Sequence, residues 1–538
     1  YDRLKTGYLK YPGFYTARLD QGIMIPPGAD FEIHVALSGD DDKLMSFYTC
    51  QNVEGWINGI KAIPGKSYYY TDWDGQSDWV DASAQGEYPC IFAYTYSPMD
   101  QEITILDNRE PAGEIGKATA SEADREALHA QLADEAVCIG PAPSKDSYLN
   151  MERILSAALV TGADAVHPGF GFLSENSRFA ELCEQCHITF IGPGSEVIAK
   201  LGNKQEARNT MIAAGVPVIP GSTEPIYDVE TGSREAEKIG YPVIIKAALG
   251  GGGKGMRVAD TPEEFAESFR TAQKEAQMAF GDDTMYIEHF VRHPRHIEFQ
   301  ILADEMGHVI HLGERDCSIQ RNHQKMIEES PCAAISEELR KKMGEAAVKA
   351  AKAAGYVNAG TIEFLLEKNQ KFYFMEMNTR IQVEHPVTEW VTGIDLVKEQ
   401  IRIASGLPLS YRQEDVQLKG HAIECRINAE NPAEGFRPSP GLITDLYLPG
   451  GKGIRVDSAV YSGCTIPPYY DSMIAKLIVW AQNREEAIRK MQSALGEVII
   501  EGIDTNVDYQ YEIFNHPDYL SGNIDVEFIE NKVIGYED

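Results

Sequence analysis

Five polar side chains recur at every second position near residue 380 of this chain. They are Glu376, Asn378, Arg380, Gln382 and Glu384, and the residues between them are mostly apolar. In an extended chain, alternate side chains point to one face, so the pattern predicts a strand with acids, amides and a guanidinium on one side. A solvated strand face is the alternative, but it does not explain the apolar residues on the opposite side.

A further acid is expected to face this strand. Residues 361–366 have a strand-like pattern, and a hairpin centred between Asn369 and Gln370 places Glu363 directly opposite Glu376. Opposed carboxylates repel each other unless a cation lies between them. Oxygen ligands from Glu363, Glu376 and Asn378 suit Mg²⁺ or Mn²⁺, which would bridge the phosphates of a nucleotide.

A glycine-rich segment at residues 250–255 provides a second candidate for phosphate binding. Glycine amides approach phosphate oxygens without a side-chain clash, and Lys246 just before the segment would add a cation. The segment is not a P-loop, because no Ser or Thr follows Lys254 and a strand, rather than a helix, is predicted next. A flap over a nucleotide and a flexible hairpin tip both fit the pattern.

Two further polar clusters have an open interpretation. Gln320, His323 and Lys325 would bind an anion or a ribose, or they belong to a solvated loop. In residues 421–428, polar and apolar side chains alternate again, which places Arg426 among apolar neighbours. A buried structural cation and a substrate-facing cation are equally consistent with that spacing.

The secondary structure expected around these residues is α/β from about residue 121 onward. Helical and strand patterns alternate there, which is typical of a sheet covered by helices. The predicted elements are helices over residues 122–134, 176–185 and 202–214 and strands over residues 164–167, 188–191 and 241–247.

The first 98 residues differ in composition from the rest. They hold 18 of the 50 aromatic residues and short alternating strands such as residues 31–37, which predicts an all-β sandwich. The aromatic side chains there would fill the core or stack on sugars. Cys50 and Cys90 allow a disulfide in this block. Residues 99–120 are rich in acids and structure-breaking residues, so we expect a junction.

Composition excludes several classes of function. The 538 residues have a formal net charge of -33, which disfavours nucleic acid and anionic membrane surfaces as partners. No apolar run is long enough to span a membrane, and no signal peptide is evident. The seven cysteines beyond residue 98 are scattered and odd in number, which favours a reducing cytoplasm. Cys183, Cys186 and His187 match a haem-attachment spacing, but the end of a helix explains them better.

Several of these segments closely resemble biotin carboxylase, an ATP-grasp enzyme. The matching segments are residues 121–125, 167–176, 246–255, 314–325, 376–386 and 467–471, and the resemblance covers roughly residues 121–533. It implies an N-terminal α/β domain at 121–217, an ATP-grasp lid at 218–291 and catalytic and C-terminal domains at 292–538. Residues 1–98, through segments 11–20 and 27–36, resemble the lectin-like sandwich of bacterial surface papain-type proteases. No protease Cys/His arrangement accompanies it.

The resemblance implies roles for individual residues. The positions that match the ATP site are Lys204, Lys246, Gly252, Gly253, Glu288, His289, Phe290, Val291, His296, Gln320 and His323. Glu363, Glu376 and Asn378 match ligands of Mg²⁺ or Mn²⁺, with two metal sites expected. Arg380, Gln382 and Val383, with Lys325 nearby, match the bicarbonate pocket. Glu384 resembles the base that deprotonates bicarbonate, and Arg426 resembles the cation that stabilises the biotin enolate.

The implied reaction is ATP- and bicarbonate-dependent carboxylation of biotin through carboxyphosphate, the first half-reaction of acetyl-CoA carboxylase in fatty acid biosynthesis. The implied partners are a biotin carboxyl carrier protein, a carboxyltransferase and a second copy of the chain. The carrier and the carboxyltransferase are expected to be separate chains, because no Met-Lys-Met carrier motif follows residue 533. Two alternatives stay open. One is a chimera with an inactive carboxylase part and a surface carbohydrate- or protein-binding module, and the other is a different ATP-grasp ligase.

The sequence departs from the family pattern in three places. Asn322 stands where a second Arg is usual, and His289 stands where a Lys is usual. Only traces of the family's first βαβ unit are found, at residues 103–109 and 113–115. We therefore expect that unit to be incomplete, which puts the homodimer in doubt.

Overall fold

The computed structural model describes residues 49–51, 68–73, 76–81, 87–89, 116–247, 256–280 and 282–532. The chain divides into two compact units, Tyr1–Val166 with Leu182–Ile188 and His167–Glu181 with Thr189–Asp538. Several predictions concern residues outside the described ranges: the strand over residues 31–37, most of the junction with the traces at 103–115, Cys90, Gly252 and Gly253.

Short strands and helices make up the described part of the first unit. They are β1 Thr49–Gln51, β2 Tyr68–Trp73, β3 Gln76–Asp81, β4 Glu87–Pro89, β5 Lys117–Ala120, α1 Leu128–Leu132, β6 Glu135–Cys138, α2 Met151–Val160 and β7 Ala165–Val166. β1 pairs with β4 and β2 with β3, both antiparallel, whereas β5 and β6 are parallel. The antiparallel pairs agree with a β-rich N-terminal block, but the complete sandwich stays a prediction.

The remaining elements follow in chain order. They are α3 Ser177–Gln185, β8 Thr189–Phe190, α4 Ser195–Gly202, α5 Lys204–Ala213, α6 Val229–Ile239, β9 Val243–Ala247, β10 Met256–Ala259, α7 Pro262–Phe280, β11 Met285–His289, β12 Arg295–Ala303, β13 Val309–Arg321, β14 Gln324–Ser330, α8 Glu337–Ala354, β15 Asn358–Leu366, β16 Phe372–Asn378, α9 His385–Thr392, α10 Leu396–Ala404, β17 His421–Asn428, β18 Glu430–Asn431, β19 Arg437–Pro438, β20 Gly441–Leu442, β21 Asp445–Tyr447, β22 Ile454–Ser458, β23 Thr465–Ile466, β24 Met473–Ala481, α11 Arg484–Glu497, β25 Ile499–Glu501, α12 Val507–Asn515, α13 Pro517–Ser521 and α14 Phe528–Lys532.

An eight-stranded antiparallel sheet forms the centre of the second unit. Its strand order is β16-β15-β12-β13-β14-β17-β24-β22. Alternation along β12 and β15 sends Ile297, Phe299 and Ile362 into an apolar core with α8. The side chains on the other face of these strands, Glu298 and Glu363 among them, point away from that apolar core.

A smaller antiparallel sheet, with the order β10-β9-β11, lies in the same unit. Phe265 and Phe269 of α7 cover one face of it, where they pack with Ile245 of β9 and Ile287 of β11. Because side chains alternate along a strand, Lys246, the residue after Ile245, lies on the opposite face of the sheet. The prediction of a strand on each side of the glycine-rich segment is confirmed.

The far end of the large sheet has its own core. Ile423, Cys425 and Ile427 of β17 pack with β24 and with Met491 and Leu495 of α11. Glu424 and Arg426 occur at the alternate positions of β17, so they face away from this core. The predicted alternation over residues 421–428 is thus confirmed as one strand.

Two predictions about local structure were wrong. In place of a helix over residues 122–134, the chain forms a 3₁₀ turn at Glu122–Asp124 and the five-residue α1. Ala127 between them is extended, and Leu132 is 79% exposed, so no continuous apolar face exists to support a longer helix.

The polar strand also ends earlier than predicted. β16 stops at Asn378, and the chain turns before α9 begins at His385. Glu175 accepts a hydrogen bond from the Thr379 amide at 3.1 Å, which holds the chain at the point where it leaves the sheet. The five polar groups therefore do not share one extended strand, and Met375 is exposed instead of lying on a buried face.

The C-x-x-C-H segment is the end of a helix, as its simpler interpretation predicted. The Cys186 amide bonds to the Leu182 carbonyl, and His187 adopts a positive φ of 58° directly after the helix. Cys183 is fully buried, and burial raises the pKa of its thiol to about 12. An inert packing role follows from that burial.

Among the described residues, no helix has the length and apolarity needed to cross a membrane.

Candidate active site

A row of charged side chains crosses four adjacent strands of the large sheet. Glu376 lies directly opposite Glu363, Glu363 opposite Glu298, and Glu298 opposite Arg315. The predicted opposition of Glu363 and Glu376 is confirmed, and a β-bulge follows it immediately. Three carboxylates in one row require nearby cations, because like charges directly opposite each other are destabilising.

Lys325 supplies one of these cations. Its Nζ donates to Glu298 at 2.6 Å, to Glu384 at 2.7 Å and to Glu363 at 3.0 Å. Burial opposes the charge of this ammonium group, but the carboxylates outweigh burial and raise the pKa of Lys325 well above its usual value. Lys325 is therefore a fixed cation that joins three acids from different elements.

Glu384 lies between two cations. One carboxylate oxygen accepts from Lys325, and the other accepts from Arg426 Nη2 at 2.9 Å. Burial would raise the pKa of Glu384, but Lys325, Arg426 and Arg315 together lower it well below its usual value. The group is consequently a buried carboxylate held in its ionised form.

Arg426 connects β17 to the same centre. Its Nε donates to Glu328 at 2.6 Å, and its guanidinium also reaches Glu384. Only 18% of its side chain is exposed. Both interpretations of Arg426 thus have a basis, since a buried ion pair and a position beside the candidate base occur together.

Gln382 and Val383 reach this centre through the turn after β16. Gln382 donates to Glu363 at 2.8 Å and accepts from Arg315 at 2.9 Å. The Val383 carbonyl accepts a hydrogen bond from Lys476 Nζ at 2.9 Å. Although the strand prediction failed here, the turn brings Gln382 to the predicted metal ligand Glu363 and brings both groups to two cations, Arg315 and Lys476, that were not predicted.

Arg380 is held by an acid that the sequence analysis did not single out. Its Nε lies 3.1 Å from Glu175 Oε2, and its Nη2 donates to Asn378 at 3.2 Å. Its side chain is 20% exposed, so the guanidinium is positioned but partly open to solvent. Such a group can orient a small anion.

The predicted metal ligands form a donor set that suits a hard cation. Burial, and then the facing Glu363 carboxylate, raise the pKa of Glu376. Asn378 donates to Glu363 at 2.9 Å, which fixes its amide beside the two acids. A divalent ion with oxygen ligands would remove the repulsion between the facing carboxylates. His296 Nε2 also lies 3.0 Å from Glu363.

The residues predicted to bind ATP lie on several elements. Lys204 is the first residue of α5 and is exposed, and its charge acts on Glu376. Lys246 on β9 donates to Glu288 on β11 at 2.5 Å. His289 Nε2 lies 2.9 Å from Glu367 Oε1, so the His found here in place of the usual Lys has an acid as its partner.

The other residues predicted for the hinge and the β13–β14 hairpin differ in their exposure. The Phe290 amide donates to the Pro242 carbonyl, Val291 is buried, and Gln320 is buried opposite Lys325. His323 is exposed and lies with Asn322 at the turn between β13 and β14, where both have positive φ. Asn tolerates that conformation well, which accounts physically for Asn322.

Four buried residues of the centre were missed by the sequence analysis. They are Glu298, Arg315, Glu328 and Lys476. Each lies in a strand in which polar residues interrupt a hydrophobic run: Glu298 in β12, Arg315 in β13, Glu328 in β14 and Lys476 in β24. The same pattern had pointed to residues 376–384 and 421–428. Charged residues in a buried strand would have indicated them, because such residues are almost never buried unless paired.

The fold and the site together define an ATP-grasp ligase. Family models match the chain in the same order: "Biotin carboxylase, N-terminal domain" at residues 115–198, "Carbamoyl-phosphate synthase L chain, ATP binding domain" at 203–412 and "Biotin carboxylase C-terminal domain" at 424–531. The model "Lectin like domain" matches residues 2–95. The chain belongs to the biotin carboxylase family.

Individual relatives agree with this assignment. Biotin carboxylase 1 of Bacillus subtilis is 58% identical over 414 residues, which are 77% of this chain and 92% of that relative. A biotin carboxylase structure with β,γ-ATP from Campylobacter jejuni has a TM-score of 0.69 at 49% identity and covers 77% of this chain and 92% of its own. The biotin carboxylase domain dimer of Hydrogenobacter thermophilus 2-oxoglutarate carboxylase, with MgADP, ADP and bicarbonate, has a TM-score of 0.68 at 49% identity and covers 78% of this chain and 93% of its own.

Proposed function

We propose that this chain carboxylates biotin at the expense of ATP, with bicarbonate as the carbon source. Bicarbonate attacks the γ-phosphoryl group of ATP and yields carboxyphosphate and ADP. Carboxyphosphate then releases CO₂ and phosphate, and the deprotonated ureido nitrogen of biotin captures the CO₂. The observation that supports this most strongly is the junction of Lys325, Glu384 and Arg426, where a buried base lies between two fixed cations.

Lys204 and Lys246 are proposed to bind the ATP phosphates. The Lys246–Glu288 ion pair would be exchanged for a phosphate contact, and because both side chains are about one-third exposed the exchange costs little. Glu288 to Val291 would line the adenine, with His296, Gln320 and His323 on the sugar side and Gly252 and Gly253 over the phosphates. Glu363, Glu376 and Asn378 would hold Mg²⁺ or Mn²⁺, at two sites, and a bound cation supplies charge neutralisation of the phosphates.

Bicarbonate is proposed to bind to Arg380, Gln382, the Val383 backbone and Lys325. An anion beside Lys325 competes with Glu384 for the ammonium group, which weakens the pair that lowers the pKa of Glu384. Glu384 then becomes a stronger base at the moment when its substrate is bound. Its fixed place between two cations keeps it ionised until that point.

Arg426 is proposed to stabilise the negative oxygen of the biotin enolate. Its guanidinium is held by Glu328 on one side and Glu384 on the other, so its position costs no reorganisation when charge develops. Because Arg426 also contacts Glu384, biotin bound at Arg426 would lie close to the proposed site of carboxyphosphate formation. Shielding from water protects the short-lived carboxyphosphate.

The wider assignments extend this proposal to partners and domains. A biotin carboxyl carrier protein would present the substrate and a carboxyltransferase would use the product, and a homodimer would be the assembly, as for the domain dimer of the Hydrogenobacter relative. Residues 121–217, 218–291 and 292–538 would form the N-terminal, lid and catalytic regions, after a lectin-like sandwich at 1–98 and a junction at 99–120. Seven described cysteines are free thiols, which supports a cytoplasmic location, and no membrane partner is proposed. The relatives do not favour an inactive carboxylase part.

The decisive experiment is ADP release by the purified full chain. We expect release that depends on bicarbonate and rises with free biotin, and a folded sample without such stimulation would contradict the proposal.

Changing Arg426 to Ala should lower the biotin-dependent rate of ADP release by about 100-fold or more, because a charge-assisted contact to the developing enolate is lost. Nucleotide binding, measured by calorimetry, should persist. Arg412→Ala is the matched control, since that side chain is 74% exposed and pairs with Asp415 outside the site. Full biotin stimulation in R426A would exclude the proposed role.

A further inference from the structure

Two buried glutamates lie directly opposite each other behind Arg426. Glu328 on β14 pairs in register with Glu424 on β17, and both side chains are fully buried. Side chains directly opposite in an antiparallel pair lie close enough to interact strongly. The site described above uses Glu328 only as the partner of Arg426 and does not use Glu424.

Glu424 lacks the contacts that a buried carboxylate requires. Within the described part of the chain, neither of its carboxyl oxygens has a hydrogen-bond partner, and neither does Glu328 Oε2. The residue directly opposite it on β24 is apolar: Ile478, which packs with Val387 and Val391 of α9. An ionised carboxylate in such a place is strongly disfavoured.

The charged groups around Glu424 are already engaged. Lys476 on β24 donates to the Val383 carbonyl and lies 3.4 Å from Asp457 of β22. Arg426 on the same strand is bonded to Glu328 and to Glu384, which precedes α9. The core on the other face of β17, against α11, is apolar. The nearby cations therefore have other partners, while Glu328 and Glu384 add negative charge.

A proton resolves this arrangement. If Glu424 is un-ionised, its hydroxyl can donate to the unpartnered Glu328 Oε2, and Glu328 keeps one negative charge for Arg426. The pKa values of both acids are raised in agreement with this, chiefly by burial; the negative charge of Glu384 adds to the rise for Glu328, and that of Glu328 adds to the rise for Glu424. The proton is thus held by the pair and not by either residue alone.

We propose that Glu328 and Glu424 hold one proton in common and, as positioning residues, set the negative charge that keeps Arg426 directed between Glu328 and Glu384. This inference rests on the proposed function only for its effect on turnover. Loss of the shared proton at alkaline pH would place two carboxylates opposite each other, draw Arg426 away from Glu384 and lower kcat.

The first test detects the proton without any activity measurement. The infrared difference spectrum of the full chain minus its E424Q variant at pH 7 should contain the carbonyl band of an un-ionised carboxyl group. A difference spectrum that contains only carboxylate bands would overturn the proposal. If E424Q does not fold, carboxyl-¹³C glutamate labelling of the unaltered chain decides the question: an un-ionised carboxyl resonance at pH 7 supports the pair, and its absence overturns it.

The second test separates positioning from mere packing. With each rate divided by its own value at pH 7, the alkaline loss of kcat should move to higher pH in E424Q, because the amide cannot ionise. E328Q should lower kcat by about tenfold at every pH while KM for ATP changes less than about twofold, since only the partner of Arg426 is lost. Equal alkaline profiles for E424Q and the unaltered chain would contradict the positioning role. A chain without ADP release would contradict the proposed function and leave the infrared result valid.

Discussion

Lys325, Glu384 and Arg426 show how single side chains define this site. Glu384 is buried and the two cations are mostly buried, and each of the three is bonded to at least two groups of opposite charge. Removing one partner would leave an uncompensated buried charge, which is far more costly than the net gain of the pair. Substitutions at these three positions therefore test folding as well as chemistry, and a partly exposed neighbour is the better probe of binding.

Glu175 is such a probe, because it contacts Arg380 from a side chain that is 43% exposed. Changing Glu175 to Gln should raise KM for bicarbonate about two- to fivefold and leave KM for ATP unchanged, because a solvent-screened ion pair that orients Arg380 is lost while an oxygen that can accept the Thr379 amide remains. Steady-state ADP release at varied bicarbonate measures this. Glu181→Gln, in a surface pair with Arg178, is the control. An equal effect on both KM values would mean that Glu175 acts on the fold instead.

At the scale of elements, a buried ion network joins β14, β17 and α11. Glu329 accepts from His421 at 2.7 Å and from Arg484 Nε at 2.7 Å. Burial would raise the pKa of Glu329, but the hydrogen bond from His421 and the charge of Arg484 lower it to about 2. A carboxyl whose pKa is lowered by folding stabilises the fold at pH values above its unfolded pKa.

The pH dependence of the Glu329 network follows from that sign. At pH 7 the free energy of unfolding of the unaltered chain should exceed that of Glu329→Gln by on the order of 3 kcal/mol. This difference should shrink as pH falls from about 4.5 towards 2. Urea unfolding at a series of pH values measures it. The exposed Glu338→Gln should show no measurable change. A difference that stays constant down to pH 3 would exclude ionisation as its cause.

At the scale of the whole molecule, the proposed catalytic groups and their cores belong to one part of the chain. Three apolar cores support the large sheet, the small sheet and the C-terminal helices, and all their residues lie in the second unit. A core of this kind allows a segment to fold by itself. The aromatic N-terminal block is therefore expected to be dispensable for the chemistry.

Removal of residues 1–98 tests this expectation. Bicarbonate-dependent ADP release should persist with unchanged kcat, because every residue assigned to the site, Glu175 included, lies beyond residue 98. The full chain is the reference, and circular dichroism checks the fold of the shortened chain. A shortened chain that is folded but inactive would show that the N-terminal block contributes to catalysis.

The sequence by itself determined the class of enzyme and the pairing of its key strands. Alternation and hairpin arithmetic placed Glu363 opposite Glu376, since register follows directly from the number of residues between two strands. It did not determine where β16 ends or that Glu298, Arg315, Glu328 and Lys476 would join the centre. Those contacts link strands far apart in the chain, and only the tertiary structure decides which buried charges become neighbours and which acid must retain a proton.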